Sequence, residues 1–247
     1  VARRRVWAAT DVGLVRKTNE DCFGLAAIIS GGRSREEWQG ELSTTTGVGW
    51  AVIADGMGGH EAGEIASRAV VESLHRRADL LVSEAGIVAA LNEANATIFE
   101  SIAGGRGRPG MGSTIVGVVF VCQECFAFNI GDSRLYLKRK SELFQMSTDD
   151  TMGASRSGTH SRSHALTQSL GGTRDPVPLF PHLRAWRPIR DDILILGSDG
   201  LSDMLSEDDI LANLVLDGHP ARGLVEAALR AGGRDNVTAI VIGQEVD

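Results

Sequence analysis

The sequence predicts an α+β fold, and three observations carry that expectation. Short apolar runs of strand length recur from one end of the chain to the other. Between them lie blocks in which apolar residues return at helical spacing. Four acidic islands, each tied to an apolar run, punctuate the pattern: Asn19-Glu20-Asp21, Asp55-Gly56-Met57-Gly58-Gly59-His60, Ser198-Asp199-Gly200 and Arg234-Asp235-Asn236. A buried strand that ends on an acidic residue delivers its carboxylate to a rim shared with other strands. No internal repeat or linker composition interrupts the 247 residues, so one domain over 1–247 is expected.

Taken in order, residues 5–10 and 22–29 read as strands and 30–46 as a polar loop. Residues 48–54 form a buried strand. Block 61–82 carries Ile65, Ala69, Val70, Leu74, Ala78 and Leu81 at helical spacing, with Glu61 and Glu64 in a first turn where the helix dipole favours them. Block 84–102 repeats the pattern through Ile87, Ala90, Leu91, Ala94, Ile98 and Ile102, so the two blocks form an αα-hairpin. Residues 104–109 are a glycine-rich breaker. Strands resume at 114–121, 125–130 and 134–138, with a short one near Leu143. Residues 147–172 are rich in Ser, Thr, Gly and His without apolar periodicity, and read as a surface flap. A buried strand at 193–196, helices at 206–216 and 221–231, and a closing strand at 237–242 complete the chain.

Composition excludes several classes. A formal net charge of −7 argues against a nucleic-acid binder. No apolar run approaches a membrane span, 115–122 being far too short, and no membrane partner is expected. Arg3-Arg4-Arg5 is followed by a polar, acidic segment and not by a signal-peptide core, which makes the cytoplasm the expected location. The three cysteines are an odd set and no disulfide framework. Cys122-Gln123-Glu124-Cys125 has metal-half-site spacing, but it joins two apolar runs as a hairpin turn and has no second pair or nearby histidine.

The islands carry the chemistry. Carboxylates brought to one point from distant strands repel each other unless cations sit between them. Oxygen-only ligands suit hard octahedral cations, Mg²⁺ or Mn²⁺, over zinc. Asp55 precedes close-set glycines, where the backbone can turn sharply and leave the Gly56 carbonyl available to a ligand. One oxygen for each of two cations would make Asp55 a bridge. Asp199 ends the run 194–198 in the same way, and Asp235 stands at the start of the last strand. A single aspartate before glycine is commonly a turn former; four islands at strand ends would need four coincidences. Cations paired roughly 3.5 to 4 Å apart polarise a phosphoryl group and make hydroxide available near neutral pH. A guanidinium would add a bidentate grip on phosphate oxygens. Arg16, five residues before Asp21, is the best-placed candidate, and on residue type alone a solvated surface arginine fits equally well.

The stretch Thr10-Asp11-Val12-Gly13 through Arg16 and Asn19-Glu20-Asp21 resembles the opening motif of the metal-dependent protein serine/threonine phosphatases, in their bacterial form. Residues 55–60 with Gly63-Glu64-Ile65-Ala66-Ser67 resemble the second motif. Gly112-Ser113-Thr114, Gly131-Asp132-Ser133-Arg134, Ser198-Asp199-Gly200-Leu201 with Asp203, and Gly233-Arg234-Asp235-Asn236-Val237-Thr238 are similar to the rest, in order. The resemblance covers nearly the whole chain. It implies a four-layer α-β-β-α sandwich: two stacked antiparallel sheets flanked by helix pairs, with the metals in a cleft at one end.

Residue by residue, the resemblance implies that Asp55 bridges two core Mn²⁺ or Mg²⁺ ions and that Asp199 and Asp235 complete the first site. Glu20, the Gly56 carbonyl and waters would hold the second ion, and Asp21 would orient metal-bound water. Asp132, with Asp199, would hold a third, weaker ion, and Arg16 falls on the phosphate-binding arginine. Two features depart from the pattern. Met57 stands where some members carry a histidine proposed as general acid, although His60 belongs to the bacterial motif. The short polar segment 149–164 replaces a longer, more helical insert before Leu166-Thr167-Gln168-Ser169-Leu170-Gly171; its His160 and His164 read as solvated loop residues.

The implied activity is hydrolysis of phosphoserine and phosphothreonine on proteins by a metal-activated water. A bacterial serine/threonine kinase and its substrates are the implied partners, and the chain is expected to act as a monomer. A stress-regulator phosphatase of the same fold is an alternative. A non-catalytic phosphoprotein-binding relative is disfavoured because every metal aspartate is present, and a two-metal nuclease because there is no basic stripe.

Overall fold

The computed structural model describes residues 3–30, 32–43, 48–58, 62–122, 124–152 and 165–246. Two antiparallel sheets form its centre. The first contains β1 (Arg3–Asp11), β4 (Arg35–Ser43), β9 (Arg134–Arg139), β10 (Glu142–Gln145), β13 (Ile193–Gly197) and β14 (Val237–Val246), in the order β10-β9-β13-β14-β1-β4. The second contains β2 (Asp21–Leu25), β3 (Ile28–Ile29), β5 (Gly49–Met57), β6 (Gly112–Ser113), β7 (Ile115–Val121), β8 (Glu124–Ile130), β11 (Leu170–Gly171) and β12 (His182–Trp186). Its path is β11-β6-β5-β7-β8-β12, with β2 pairing β5 and β3.

Period-two alternation stacks these sheets. Val6, Ala8, Ala51, Ile53, Val116, Val118, Leu194, Leu196, Ile240 and Ile242 point between them and form a central core. The alternate residues face outward. Trp50, Val52 and Ala54 pack under α1 (Ala62–Arg76) and α2 (Glu84–Ala103) through Val70, Leu74, Leu91 and Ile98. Trp7, Ala9, Ile195 and Val241 pack under α4 (Glu207–Asn213) and α5 (Pro220–Arg230) through Ile210, Leu224 and Ala228, with Leu201 of the short α3 (Asp199–Ser202). The layers run α-β-β-α, as the motifs implied. No helix of the described residues is long and apolar enough to cross a membrane.

Several boundaries differ from the sequence reading. The expected polar loop at 30–46 contains β4, which pairs along the whole of β1. It is an edge strand whose Arg35, Glu36, Glu37 and Glu41 hide its period, and such charges keep an edge from recruiting another chain. The segment 22–29 is a hairpin of β2 and β3. The first helical block ends at Arg76, and a 3₁₀ turn, Ala78–Leu80, follows. The helix expected over 206–216 stops at Asn213, after a capping box between Ser206 and Asp209 has set its start. The flap expected over 147–172 is pinned at both ends: Thr151 bridges Leu166, and buried Leu170 belongs to β11. Its middle, with His160 and His164, lies outside the described residues, as do Glu61 and His60. The cysteine pair flanks the β7–β8 turn, with Cys122 exposed at positive φ and Cys125 buried.

Candidate metal centre

Asp55 ends the buried part of β5, and two of the short motifs fix its backbone. Its N–H donates to Thr114 Oγ1 at 3.2 Å, while Thr114 N and Ser113 Oγ donate to its carbonyl at 2.9 and 3.0 Å. Thr114 Oγ1 in turn meets Ser133 Oγ at 2.8 Å. A Cβ on Gly56 would collide with the Gly63 carbonyl, and one on Gly63 with the Glu20 carboxylate, so both glycines are required for close approach. The Glu20 carbonyl accepts from Gly56 N at 3.1 Å and from Ser67 Oγ at 2.6 Å. These contacts bind the first two motifs together.

Asn236 ties in the last motif. Its Oδ1 accepts from Glu20 N at 2.8 Å, and its Nδ2 donates to Val12 O and Thr18 O, both at 2.9 Å. Asp21 is buried, and its Oδ2 accepts from Ser198 Oγ at 2.8 Å and Thr238 Oγ1 at 2.6 Å. Asp199 opens α3 and Asp235 sits in the turn before β14. Arg16 donates through Nη2 to Asp235 Oδ2 at 2.6 Å.

The folded chain brings Arg16, Glu20, Asp55, Gly56, Asp132, Asp199 and Asp235 to one open cleft of about 1730 Å³. Asp21 lies behind its wall. Met57 lines the cleft with its methyl against Gly112 and Gly172, and a thioether has no proton to donate.

The carboxylates strain against one another. Burial, then the charges of Asp21, Asp199 and Asp235, push Asp55 well above the usual range. Asp21 is pushed up to about 7 by burial, against the lowering effect of its Thr238 and Ser198 hydrogen bonds. Burial and the nearby Asp199 likewise push Asp132 up to about 7. Asp21 Oδ1 is buried with no hydrogen-bond partner. An orphaned oxygen among mutually repelling carboxylates fits a hard cation. Among the described residues no three His, Cys, Asp or Glu side chains close into a ready-made cage.

Sequence reasoning missed a hub at the root of the flap. Asp150 Oδ2 accepts from Gly131 N at 2.8 Å and Gln168 Nε2 at 3.1 Å, while its Oδ1 lies 2.9 Å from His182 Nε2. Gln168 also clamps Phe180, accepting from its N–H at 2.6 Å. The available signal was Asp150 itself, one polar residue among many in 147–172, and β12, which carries His182, alternates too weakly to stand out.

The sequence matches the family model described as "Protein phosphatase 2C" over residues 24–227. The chain belongs to the protein phosphatase 2C family. The relatives it matches are bacterial serine/threonine phosphatases. It is 33% identical to the serine/threonine protein phosphatase PstP of Mycobacterium tuberculosis over 256 aligned positions, covering 96% of this chain and 44% of PstP. The chain thus spans less than half the length of that relative. A crystal structure of the Mycobacterium tuberculosis PstP phosphatase superposes with a TM-score of 0.79 at 32% identity, covering 100% of both chains. A crystal structure of the PstP catalytic domain in complex with two manganese ions gives 0.75 at 32% identity, covering 99% of this chain and 100% of that one. Arg16, Glu20, Asp21 and Asp235 of this phosphatase 2C domain lie outside the span of the family model but inside the first superposition.

Proposed function

We propose that residues 1–247 act as one phosphatase domain that hydrolyses phosphoserine and phosphothreonine on proteins in this cleft. The observation that carries the reading is the convergence of Arg16 with Asp55, Asp199 and Asp235, drawn from four distant chain segments, on one carboxylate floor.

Asp55, Asp199 and Asp235 would hold one divalent ion, Mn²⁺ or Mg²⁺, and Asp55, Glu20 and the Gly56 carbonyl a second. Asp132 with Asp199 would hold a third, weaker one. Bound there, such ions supply positive charge to the phosphoryl oxygens and lower the pKa of coordinated water. The protein's own groups then position the reactants. Arg16 uses one donor on Asp235, and its remaining guanidinium N–H groups grip the phosphoryl oxygens. Asp21, held by Ser198 and Thr238, keeps Oδ1 to orient a water. Water adds its oxygen to phosphorus, and the serine or threonine oxygen leaves and takes up a proton. A serine/threonine kinase supplies such substrates, and the domain opposes it as a monomer. Three free cysteines suit a reducing cytoplasm.

The test is hydrolysis of an aryl phosphate by the purified chain with Mn²⁺ and with chelator. Release that depends on metal supports the reading; no release with metal present removes it.

A further inference from the structure

One motif remains outside this account: the glycine-rich turn after α2, Gly104-Gly105-Arg106-Gly107-Arg108-Pro109-Gly110. The turn is built and held. Gly104 N donates to Glu100 O at 2.9 Å, Gly105 N to Ile102 O at 3.1 Å, Arg106 N to Ser101 O at 3.0 Å and Met111 N to Arg108 O at 3.1 Å. Gly105 and Gly110 take φ of +73° and +86°, which only glycine adopts readily. Met111 is wedged between Gly107 and Gly58, so the turn abuts the end of the strand that carries Asp55.

Arg106 and Arg108 are exposed, and both line the cleft, as does exposed Lys17. Lys17 follows Arg16, which reaches Asp235; the arginine turn lies beside Gly58. The cations therefore border the carboxylate floor at two separate places. Among the described residues none of the three has an ion-pair partner. Arg35, Arg77, Arg134, Arg139 and Arg222 are ion-paired, while exposed Arg5, Arg76 and Arg174 are not, among the described residues, and do not line the cleft. What distinguishes Lys17, Arg106 and Arg108 is their place: in a protein with 32 acidic and 25 basic residues they add positive charge to the rim of a cleft lined by carboxylates.

Resting on the phosphatase reading, we propose that Lys17, Arg106 and Arg108 form a cationic lip that selects phosphopeptides with anionic groups flanking the phosphoresidue. The anion is an acidic side chain or a second phosphoryl group. Such a lip adds attraction at the rim, where a substrate chain leaves the phosphate grip of Arg16. Contacts of this kind are exposed, so their effect is modest, screened by salt, and felt mainly in capture of the substrate.

The test compares kcat/KM with Mn²⁺ for phosphothreonine peptides that differ only in their flanks: alanine, aspartate, a second phosphothreonine, or lysine. One or both anionic peptides should exceed the alanine peptide by about three- to tenfold at low salt, with the excess shrinking as salt rises; which one leads identifies the source. R106A/R108A should bring the ratio close to one, and R106E/R108E should turn it toward the lysine peptide. Equal values for all peptides in the wild type, or a preference untouched in both variants, overturns the lip. Fluorescence anisotropy on the same peptides reads binding without turnover, and equal affinities there overturn it as well. Aryl phosphate hydrolysis without peptide preference sinks the lip alone. No hydrolysis at all sinks the phosphatase reading, and the anisotropy then decides the lip.

Discussion

Asp21 and Asp55 are register partners on adjacent antiparallel strands, β2 and β5. Two carboxylates facing each other across a ladder, Asp21 buried and Asp55 partly so, are a like-charge pair that costs stability unless a proton or a cation intervenes. Thr238 and Ser198 compensate only one oxygen of Asp21. The sheet therefore holds its strands together at a point where its own charges oppose folding, as expected of a site shaped for a ligand that brings positive charge.

A pH dependence of stability follows for the metal-free protein. Asp21 and Asp132 titrate at about 7 in the fold, above the ordinary aspartate range. Between the two values the fold holds protons that the unfolded chain has lost, so their contribution is fullest at low pH and declines as pH rises through 7. Scanning calorimetry should find a higher metal-free Tm near about pH 5.5 than near about pH 8, with Mn²⁺ restoring stability at the higher pH. A Tm that rises across that window would count against the charge-repulsion argument.

Asp55→Asn separates binding from folding. Loss of the proposed bridge should weaken Mn²⁺ binding in calorimetry and nearly abolish turnover. It should also relieve repulsion from Asp21 and Asp199, so the metal-free variant should melt no lower than wild type at pH 8, and by up to a few degrees higher, on the order of 1 kcal/mol. Normal activity at saturating Mn²⁺ would rule out the bridging role.

Arg16→Ala removes the proposed phosphate grip while leaving every carboxylate of the floor in the sequence. The expected loss in kcat/KM is about thirty- to a thousandfold. Because Arg16 bonds Asp235 in the fold, its removal should leave metal affinity equal or stronger. Wild-type kinetics on both small and peptide substrates would return Arg16 to an ordinary surface residue.

Asp132→Ala tests the proposed third ion. The two core ions should remain bound while turnover slows, and the activity curve should lose its high-concentration metal phase. An unchanged ion count with unchanged kinetics would leave Asp132 as a turn residue beside Gly131.

Most strands and helices and most of the floor were legible in the sequence because each depends on local pattern, while the four-layer stacking was implied by the resemblance of the motifs. Residues of β5, β13 and β14 alternate or run apolar for reasons of burial, and acidic islands mark the ends of β5 and β13 and the start of β14. What was not legible depends on partners far along the chain. β4 looks like a loop because an exposed edge strand is allowed its charges. Asn236 gives no sign in isolation that it holds Glu20, Val12 and Thr18 in place. Asp150 and His182 meet across 32 residues, and neither stands in a periodic segment strong enough to place it.

The most direct test is phosphate release from a phosphothreonine peptide by the purified chain, measured with Mn²⁺ and again after chelation, with Asp55→Asn alongside. The carboxylate cleft predicts release by the wild type only with metal, and near-background release by the variant in either condition. Release that survives chelation, or a variant as active as wild type, would contradict it.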